Sequence, residues 1–340
     1  MTTDVGITTS PVAESARVPR WLRGLFIANL AAQVGIVVTG GIVRLTGSGL
    51  GCPTWPECVE GSLVPTSRQE ESWHKMVEFG NRLLTFVLAA LAIAAIVGAL
   101  IWWRRRRRAR LPARGPVVAL AAIPIIGTVV QAVLGGVTVL TGLNPWAVSA
   151  HFLISMVIIA GCVVLVVRSG EPGDQPVQPL VRTEVRLLAW VLVCVTAVVV
   201  VLGVIVTGSG PHSGDSDVAS RLPVDARTVS WLHADAVLLF LGLTVGLLVV
   251  LRVVHAPSRA QGLTLSLLVV ALLQGVVGYA QYFTGLPWAL VSIHMLGACV
   301  VWVLVILVAL SLRRRGVPAI VPSGTSPEDN LTDRSGPVLH

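Results

Sequence analysis

Eight apolar runs, each long enough to cross a lipid bilayer, dominate this sequence. A spanning helix needs about 20 mostly apolar residues. The runs lie approximately at 22–45, 76–101, 116–140, 148–167, 187–208, 231–251, 261–283 and 289–312. Only 12% of the residues are charged, against roughly 25% in soluble domains. The sequence therefore predicts an all-α integral membrane protein with eight transmembrane helices.

The loops that carry arginine predict the orientation of these helices. Arginine and lysine concentrate in the short cytoplasmic loops of membrane proteins. Here they are Arg17, Arg20 and Arg23 before the first run, Arg104 to Arg108, Arg110 and Arg114 after the second, Arg168, Arg182 and Arg186 after the fourth, and Arg313 to Arg315 after the last. The protein is therefore predicted to lie in the cell membrane with both termini in the cytoplasm. The net charge of +8 indicates this topology and contact with anionic lipid, and no nucleic-acid binding is expected.

One stretch of the sequence occurs twice. Gln131–His151 and Gln274–His294 align without a gap and share a glutamine, a glycine, the turn Thr-Gly-Leu, a serine and the final histidine. A shorter repeat, V-x-x-T-G-S-G, begins at Val43 and at Val204. An even number of runs per repeat predicts two four-helix bundles in parallel orientation, related by a pseudo-twofold axis along the membrane normal.

These repeats also divide the chain. We expect a cytoplasmic N-terminal tail at 1–21, an N-terminal half at 22–168, a cytoplasmic linker at 169–186, a C-terminal half at 187–312 and a disordered cytoplasmic tail at 313–340. The two tails are polar and lack an apolar period, which is typical of disorder.

The five cysteines fall into two groups. Cys52 and Cys58 share the first outer loop, in GCPTWPEC. On an oxidising face of the membrane this pair predicts a disulfide, with free thiols or a metal-binding pair as the alternatives. Cys162, Cys194 and Cys299 lie singly within apolar runs, where we expect small core side chains.

Four histidines stand at equivalent places. His74, His151, His233 and His294 each lie at the start of an even-numbered run. Ionisable groups are costly inside a membrane and usually face a bundle interior or a cavity. We therefore expect all four at one depth near the outer face, two in each half. The other histidines, at 212, 255 and 340, are predicted to have no role in a site.

Two imidazoles facing each other across a helix bundle can occupy both axial positions of a heme iron. A zinc site would need a third or fourth ligand nearby, and the sequence offers no such motif. Proton relay remains an alternative, because Glu78 and Asp235 lie near the histidines. The residue pattern favours one heme per half.

The two halves differ in one acidic residue. Glu71 lies three residues before His74, whereas Ser230 lies three residues before His233. A carboxylate beside only one site indicates that this site does chemistry while the other holds a permanent electron-transfer heme. Stabilisation of a helix N-terminus is the alternative role for Glu71.

Three further charged residues lie near the predicted sites. Glu78 and Arg82 have the spacing of an intrahelical ion pair. Arg82 or Arg44 is expected to contact heme propionates, so both are candidates for heme binding.

Together these motifs resemble the heme A synthase family. The resemblance covers nearly all of 22–312 and rests on VRLTGSGLGCPTWPEC, ESWHKMVEFGNRL, TGSGPHSGD and one histidine on each even-numbered run. It implies a membrane enzyme that oxidises a methyl group of heme O to the formyl group of heme A, for cytochrome oxidase assembly.

The resemblance also implies roles for single residues. These are Glu71 as the catalytic carboxylate, His74 and His151 as ligands of the substrate heme O, His233 and His294 as ligands of a heme b cofactor, and Cys52–Cys58 as a disulfide near the substrate pocket. The implied partners are a heme O synthase and an electron donor, and a homo-oligomer is compatible with the sequence.

The sequence departs from the family pattern at two places. Lys75 follows the first histidine where the family commonly has arginine, and the third outer loop lacks the second cysteine pair of some members. Two other functions remain open from the residues alone. A di-heme b electron carrier would leave both hemes unmodified, and a proton-coupled transporter would bind no heme.

Overall fold

A computed structural model describes residues 17–66, 73–112, 114–212 and 221–316. In these residues eight helices are long and apolar enough to cross a membrane, which confirms the predicted number of spans. They are α1 Arg20–Leu45, α2 His74–Arg108, α3 Gly115–Leu140, α4 Pro145–Gly170, α5 Thr183–Ser209, α6 Ala226–Val253, α7 Ser258–Phe283 and α8 Trp288–Ser311.

One of the eight helices, α3, is interrupted. It consists of Gly115–Ala121 and Ile123–Leu140, separated at Ala122. Pro124 lies two residues further on, and because proline has no backbone N–H it cannot donate to the carbonyl of the preceding turn. The interruption thus has a cause in the sequence.

The duplicated Thr-Gly-Leu turns have the same backbone conformation. Gly142 and Leu143 have φ of +58° and +57°, and Gly285 and Leu286 have φ of +80° and +60°. Two consecutive left-handed residues close each hairpin, the first of them a glycine, which adopts positive φ at little cost. The repeat in the sequence therefore corresponds to a repeated structure.

The helices contact one another in the same order in both halves. In the first half α1 packs on α2, α2 on α3, α3 on α4 and α4 on α1; in the second half α5 to α8 repeat this ring. The halves meet through contacts of α1 with α8, α4 with α8 and α4 with α5. This repetition agrees with a duplicated bundle, and the pseudo-twofold axis itself stays a prediction.

Small residues allow the helices to approach closely. A Cβ atom at Gly41 on α1 would lie 2.5 Å from the Met295 side chain of α8, and one at Gly127 on α3 would lie 2.7 Å from Ile158 of α4. Tight glycine contacts are typical of helix association in lipid. Trp302 adds a polar link between the halves, since its Nε1–H donates to the Met156 carbonyl at 2.8 Å.

The three single cysteines do not all lie in the core. Cys162 and Cys299 are buried, as predicted, but Cys194 is exposed. The core prediction was therefore wrong for Cys194, because a run that is apolar on every side does not reveal which face is turned outward.

A short β-ladder joins two segments predicted as a linker and a disordered tail. Strand β1, Val177–Pro179, pairs antiparallel with strand β2, Arg313–Arg315. The start of the predicted tail is thus ordered, because its backbone has a pairing partner in the linker. We call the end of the molecule that carries this ladder the arginine end, and the opposite end, where α2, α4, α6 and α8 begin, the histidine end.

Candidate heme sites

The four histidines come from opposite corners of the two helix rings. His74 is the first residue of α2, and His151 lies six residues after the start of α4. His233 and His294 lie seven and six residues after the starts of α6 and α8. Because neighbours in each ring are consecutive helices, α2 faces α4 and α6 faces α8 diagonally. Each half thus places two histidines at the histidine end, although the register of His74 differs from that of the others.

His74 is held by the loop that precedes its helix. Its Nδ1 lies 2.8 Å from the hydroxyl of Ser48, a fully buried side chain. Trp73 stacks on the His74 ring at a centroid distance of 4.1 Å. These contacts orient the imidazole and leave Nε2 as the nitrogen available to a ligand.

His233 has a comparable anchor in the second half. Its Nδ1 lies 3.0 Å from the Val199 carbonyl of α5. Because a carbonyl oxygen only accepts hydrogen bonds, this contact places the ring proton on Nδ1 and a lone pair on Nε2. Gly203, one turn further along α5, makes room for the ring: a Cβ atom there would lie 3.2 Å from Cε1 of His233.

His151 and His294 share a different environment. Each packs against the glycine of its repeat, since Cβ atoms at Gly135 and Gly278 would lie 3.6 Å and 3.4 Å from Cε1 of His151 and His294. The Nδ1 atoms of both histidines are buried without a hydrogen-bond partner among the described residues. The repeated glycine therefore creates space for an imidazole.

A glutamine accompanies each of these two histidines. The amide of Gln131 donates to the His151 carbonyl at 2.9 Å and to Ser155 at 2.5 Å. The amide of Gln274 lies against Gly297, where a Cβ atom would be 1.6 Å from Nε2, one turn after His294. In both glutamines Oε1 is buried and unpartnered within the described structure. The glutamine is part of the sequence repeat, but the sequence alone predicted no role for it.

The donor set fits heme better than a metal ion bound by protein alone. Nowhere in the described ranges do three or more His, Cys, Asp or Glu side chains come together as a metal site, which disfavours zinc. A histidine that binds iron through Nε2 usually donates its Nδ1–H to an acceptor. His74 and His233 already have an Nδ1 partner, and the orphaned Nδ1 atoms of His151 and His294 lie near a glutamine with a free acceptor oxygen.

The described part of the loop that follows α1, residues 46–66, contains a cysteine pair and is called the disulfide loop. It covers the first half at the histidine end. Cys52 and Cys58 form a disulfide with an S–S distance of 2.06 Å, which confirms the predicted pairing. Trp55 of this loop lies against Gly136 of α3, where a Cβ atom would be 2.5 Å from the indole. Since Gly136 follows the glycine that packs on His151, the loop lies beside the first histidine pair.

A charged pair on α2 binds this loop. Glu78 and Arg82 form the predicted ion pair at 2.6 Å. The Cys52 N–H donates to Glu78 at 2.7 Å, and Arg82 donates to the carbonyls of Cys52, Thr54 and Glu57 at 2.8, 3.1 and 3.1 Å. The pair therefore fixes the backbone of the disulfide loop, and a propionate contact of Arg82 stays a prediction.

Arg44 and His212 link the two halves. Arg44 at the end of α1 donates to the carbonyls of His212 and Thr207 at 2.9 and 3.3 Å. The His212 Nε2–H donates to the Leu286 carbonyl in the α7–α8 turn at 2.9 Å. His212 was predicted to have no role in a site, and it has a structural one. The signal was the TGSG repeat, which ends two residues before it.

Glu71, the predicted catalytic carboxylate, lies outside the described residues. The described part of α2 begins at His74. Lys75, the residue that replaces the family's arginine, donates through Nζ to the Thr66 carbonyl at 3.0 Å. It thereby ties the start of α2 to the disulfide loop.

The fold and the two histidine pairs define an eight-helix membrane protein with two candidate heme sites. A family model described as cytochrome oxidase assembly protein (COX15-CtaA) matches residues 23–212. This match covers more than half of the 340 residues, and the chain belongs to that family.

Individual relatives agree with this assignment. A protein named heme A synthase from Listeria welshimeri is 26% identical over 82% of this chain and 90% of its own length. Heme A synthases from Exiguobacterium sibiricum and Lysinibacillus sphaericus are 28% and 31% identical over shorter stretches, which span 55% and 44% of those proteins. The similarity supports a role in heme A synthesis for cytochrome oxidase assembly.

Proposed function

We propose that this protein oxidises the methyl group of heme O to the formyl group of heme A, with one half binding the substrate and the other a permanent heme b. The observation that carries the proposal is the occurrence of two histidine pairs, each from diagonally opposed helices, together with the similarity to heme A synthases. When bound, the iron supplies the oxidising chemistry, while the protein supplies orientation and electrostatics.

The first half is the proposed substrate site. His74 and His151 would hold heme O, and the disulfide loop, fixed by Glu78 and Arg82, would close the site beside them. His233 and His294 would hold heme b. Arg44 and Arg82 remain candidate contacts for heme propionates, because both are cationic and lie at the histidine end.

Glu71 distinguishes the two halves in this proposal. Conversion of a methyl group (–CH3) to a formyl group (–CHO) removes two hydrogen atoms from the carbon and adds one oxygen atom from a co-substrate, so protons must be transferred at the site. We propose that the Glu71 carboxylate accepts or relays these protons. The second half has Ser230 at the corresponding position and would bind its heme without modifying it.

The arginine end is proposed to face the cytoplasm, with both termini there and the heme sites toward the outer face. The proposed partners are a heme O synthase that supplies the substrate and an electron donor. Formation of a homo-oligomer is compatible with this arrangement.

Heme extraction tests the proposal. The full chain would be purified after expression in a host that makes heme O, and its hemes separated by chromatography alongside an absorption spectrum. We expect heme A together with heme b. Heme b alone at two per chain would identify an electron carrier instead, and a protein without heme would direct attention to a transporter.

A matched pair of variants tests the carboxylate. Glu71→Gln keeps the shape of the side chain but removes its charge, so we expect heme O to bind and the formyl product to fall by at least about 100-fold, the lower end of general acid–base contributions. Glu70→Gln makes the same change one residue earlier and should leave product formation unchanged. Full heme A production by Glu71→Gln would overturn the assigned role.

A further inference from the structure

An open cavity of about 340 Å³ lies at the arginine end, between the start of α5 and the end of α8. Its lining residues are Thr183, Arg186, Leu187, Trp190, Ala309 and Arg313. The four residues from α5 follow the spacing i, i+3, i+4, i+7 and share one helix face. The cavity thus has a positively charged outer part and an apolar part that extends along the helices.

Neither arginine of the cavity has an acidic partner. Across the described ranges, the side chains of Arg186 and Arg313 make no hydrogen bond and no ion pair within 4 Å. The Nε atom of Arg186 is moreover buried without a partner. A buried donor that lacks an acceptor is costly, so an anion in the cavity would be stabilised.

The nearby carboxylates are already engaged by other arginines. Asp174 lies 2.5 Å from Arg168 and 3.5 Å from Arg114. Glu171 pairs with Arg168 and lies 3.3 Å from Arg315. Two carboxylates therefore form ion pairs with three other arginines. Glu171 also attracts Arg313, but neither carboxylate forms an ion pair within 4 Å with a cavity arginine in the described structure.

The β-ladder fixes one of these arginines in place. Arg313 is opposite Pro179 in the pairing of β1 with β2, and the Leu180 N–H donates to the Leu312 carbonyl at 3.0 Å. Because the backbone on both sides of the cavity is ordered, both arginines line the cavity before any ligand binds.

We propose that this cavity binds the phosphate headgroup of an anionic phospholipid. Guanidinium groups are well suited to phosphate oxygens, and basic pockets between membrane helices are a known setting for such headgroups. Leu187 and Trp190 have exposed fractions of 63% and 49% and are turned to the surface of the bundle. They provide the apolar contact for an acyl chain that a soluble phosphate would not need.

Native mass spectrometry of the detergent-purified full chain tests this site. The protein would be titrated with phosphatidylglycerol and, separately, with phosphatidylcholine, and the bound lipids counted. We expect one phosphatidylglycerol site that the Arg186→Gln/Arg313→Gln variant weakens about tenfold or more, since it removes two charge-assisted contacts. The control, Arg182→Gln/Arg314→Gln, removes the same charge from two exposed neighbours and should weaken binding less than about twofold.

Three results would overturn the proposal. These are equal binding of the two lipids, equal weakening by both double variants, or displacement of the lipid by glycerol phosphate at a similar concentration, which would assign the site to a soluble phosphate. Size-exclusion chromatography checks that each variant is folded. If the double variant is not folded, Arg186→Gln and Arg313→Gln are titrated singly, and unchanged binding in both would contradict the site.

Discussion

The side-chain amide of Gln131 donates a hydrogen bond to the main-chain carbonyl of His151 at 2.9 Å. This bond fixes the orientation of the amide. If the amide were flipped, its Oε1 would face the His151 carbonyl oxygen, and two acceptors cannot form a hydrogen bond. Oε1 therefore stays free, and it is buried beside a histidine whose Nδ1 also lacks a partner in the described structure. Gln274 and His294 have the same two orphaned atoms.

This relationship predicts that the glutamines tune the proposed hemes. Because neither the glutamine Oε1 nor the histidine Nδ1 has a partner in the described structure, we predict that Oε1 becomes the acceptor of Nδ1–H once the histidine binds iron. Such an acceptor makes an imidazole a more basic iron ligand, so its removal should favour the reduced iron. We expect Gln131→Leu to raise the midpoint potential of the heme in the first half by roughly 20–60 mV, the equivalent of one hydrogen bond of about 0.5–1.5 kcal/mol. A spectroelectrochemical titration measures this midpoint potential.

Gln274→Leu provides the matched control. It should shift the heme of the second half and leave the first unchanged, so each variant serves as the reference for the other. If heme remains bound and its midpoint potential is unchanged in both variants, the glutamines contribute only to helix packing. Loss of heme from the unmodified protein would instead contradict the proposed function.

The glycines opposite the histidines predict a graded series. A Cβ atom would lie 3.2 Å from Cε1 of His233 at Gly203, but 3.6 Å from Cε1 of His151 at Gly135. We therefore expect Gly135→Ala to retain heme and Gly203→Ala to lose part of it, at a cost of about 1–3 kcal/mol for overpacking. The ratio of heme to protein after purification measures the heme retained by each variant.

Larger side chains sharpen this series. Gly203→Val should abolish heme binding in the second half, because its Cγ atoms would occupy the volume of the imidazole. Gly275→Val on α7 is the control, since a Cβ atom there meets nothing within 4 Å. Equal heme loss in the two valine variants would mean that helix packing, and not the histidine, is disturbed.

Much of this fold could be predicted because its signals are local. Eight apolar runs, the repeated Thr-Gly-Leu turns and the close cysteine pair each depend on neighbouring residues, and the structure contains the corresponding helices, left-handed turns and disulfide. The i, i+4 pair of Glu78 and Arg82 is local in the same sense.

The features that the sequence did not predict depend on contacts between distant residues. The link of Arg44 to the His212 carbonyl joins positions 168 residues apart, and the partner of β2 lies in the linker more than 130 residues earlier. The exposure of Cys194 depends on which face of α5 its neighbours cover. The lengths of apolar runs carry no information about such pairings.

The ion pair of Glu78 and Arg82 predicts a coupled effect on stability. Arg82→Gln leaves a carboxylate that is only 7% exposed without its cation, and we expect it to lower the free energy of unfolding by about 2–4 kcal/mol. The double variant with Glu78→Gln should be no less stable than Arg82→Gln alone, because no unpaired charge remains. Thermal unfolding in detergent compares the variants. A double variant less stable than Arg82→Gln would contradict the coupling.

Arg44 has two candidate roles, joining the two halves and contacting a heme propionate, and a pair of variants distinguishes them. Arg44→Met removes the donors to Thr207 and His212, and we expect a loss of about 1–3 kcal/mol, the cost of leaving buried carbonyls unpaired. His212→Ala breaks the same link at Leu286 without removing a positive charge. Both variants should therefore lower the melting temperature. If Arg44 also contacts a heme propionate, Arg44→Met should lose more heme than His212→Ala, and equal heme content in the two variants would restrict Arg44 to joining the halves.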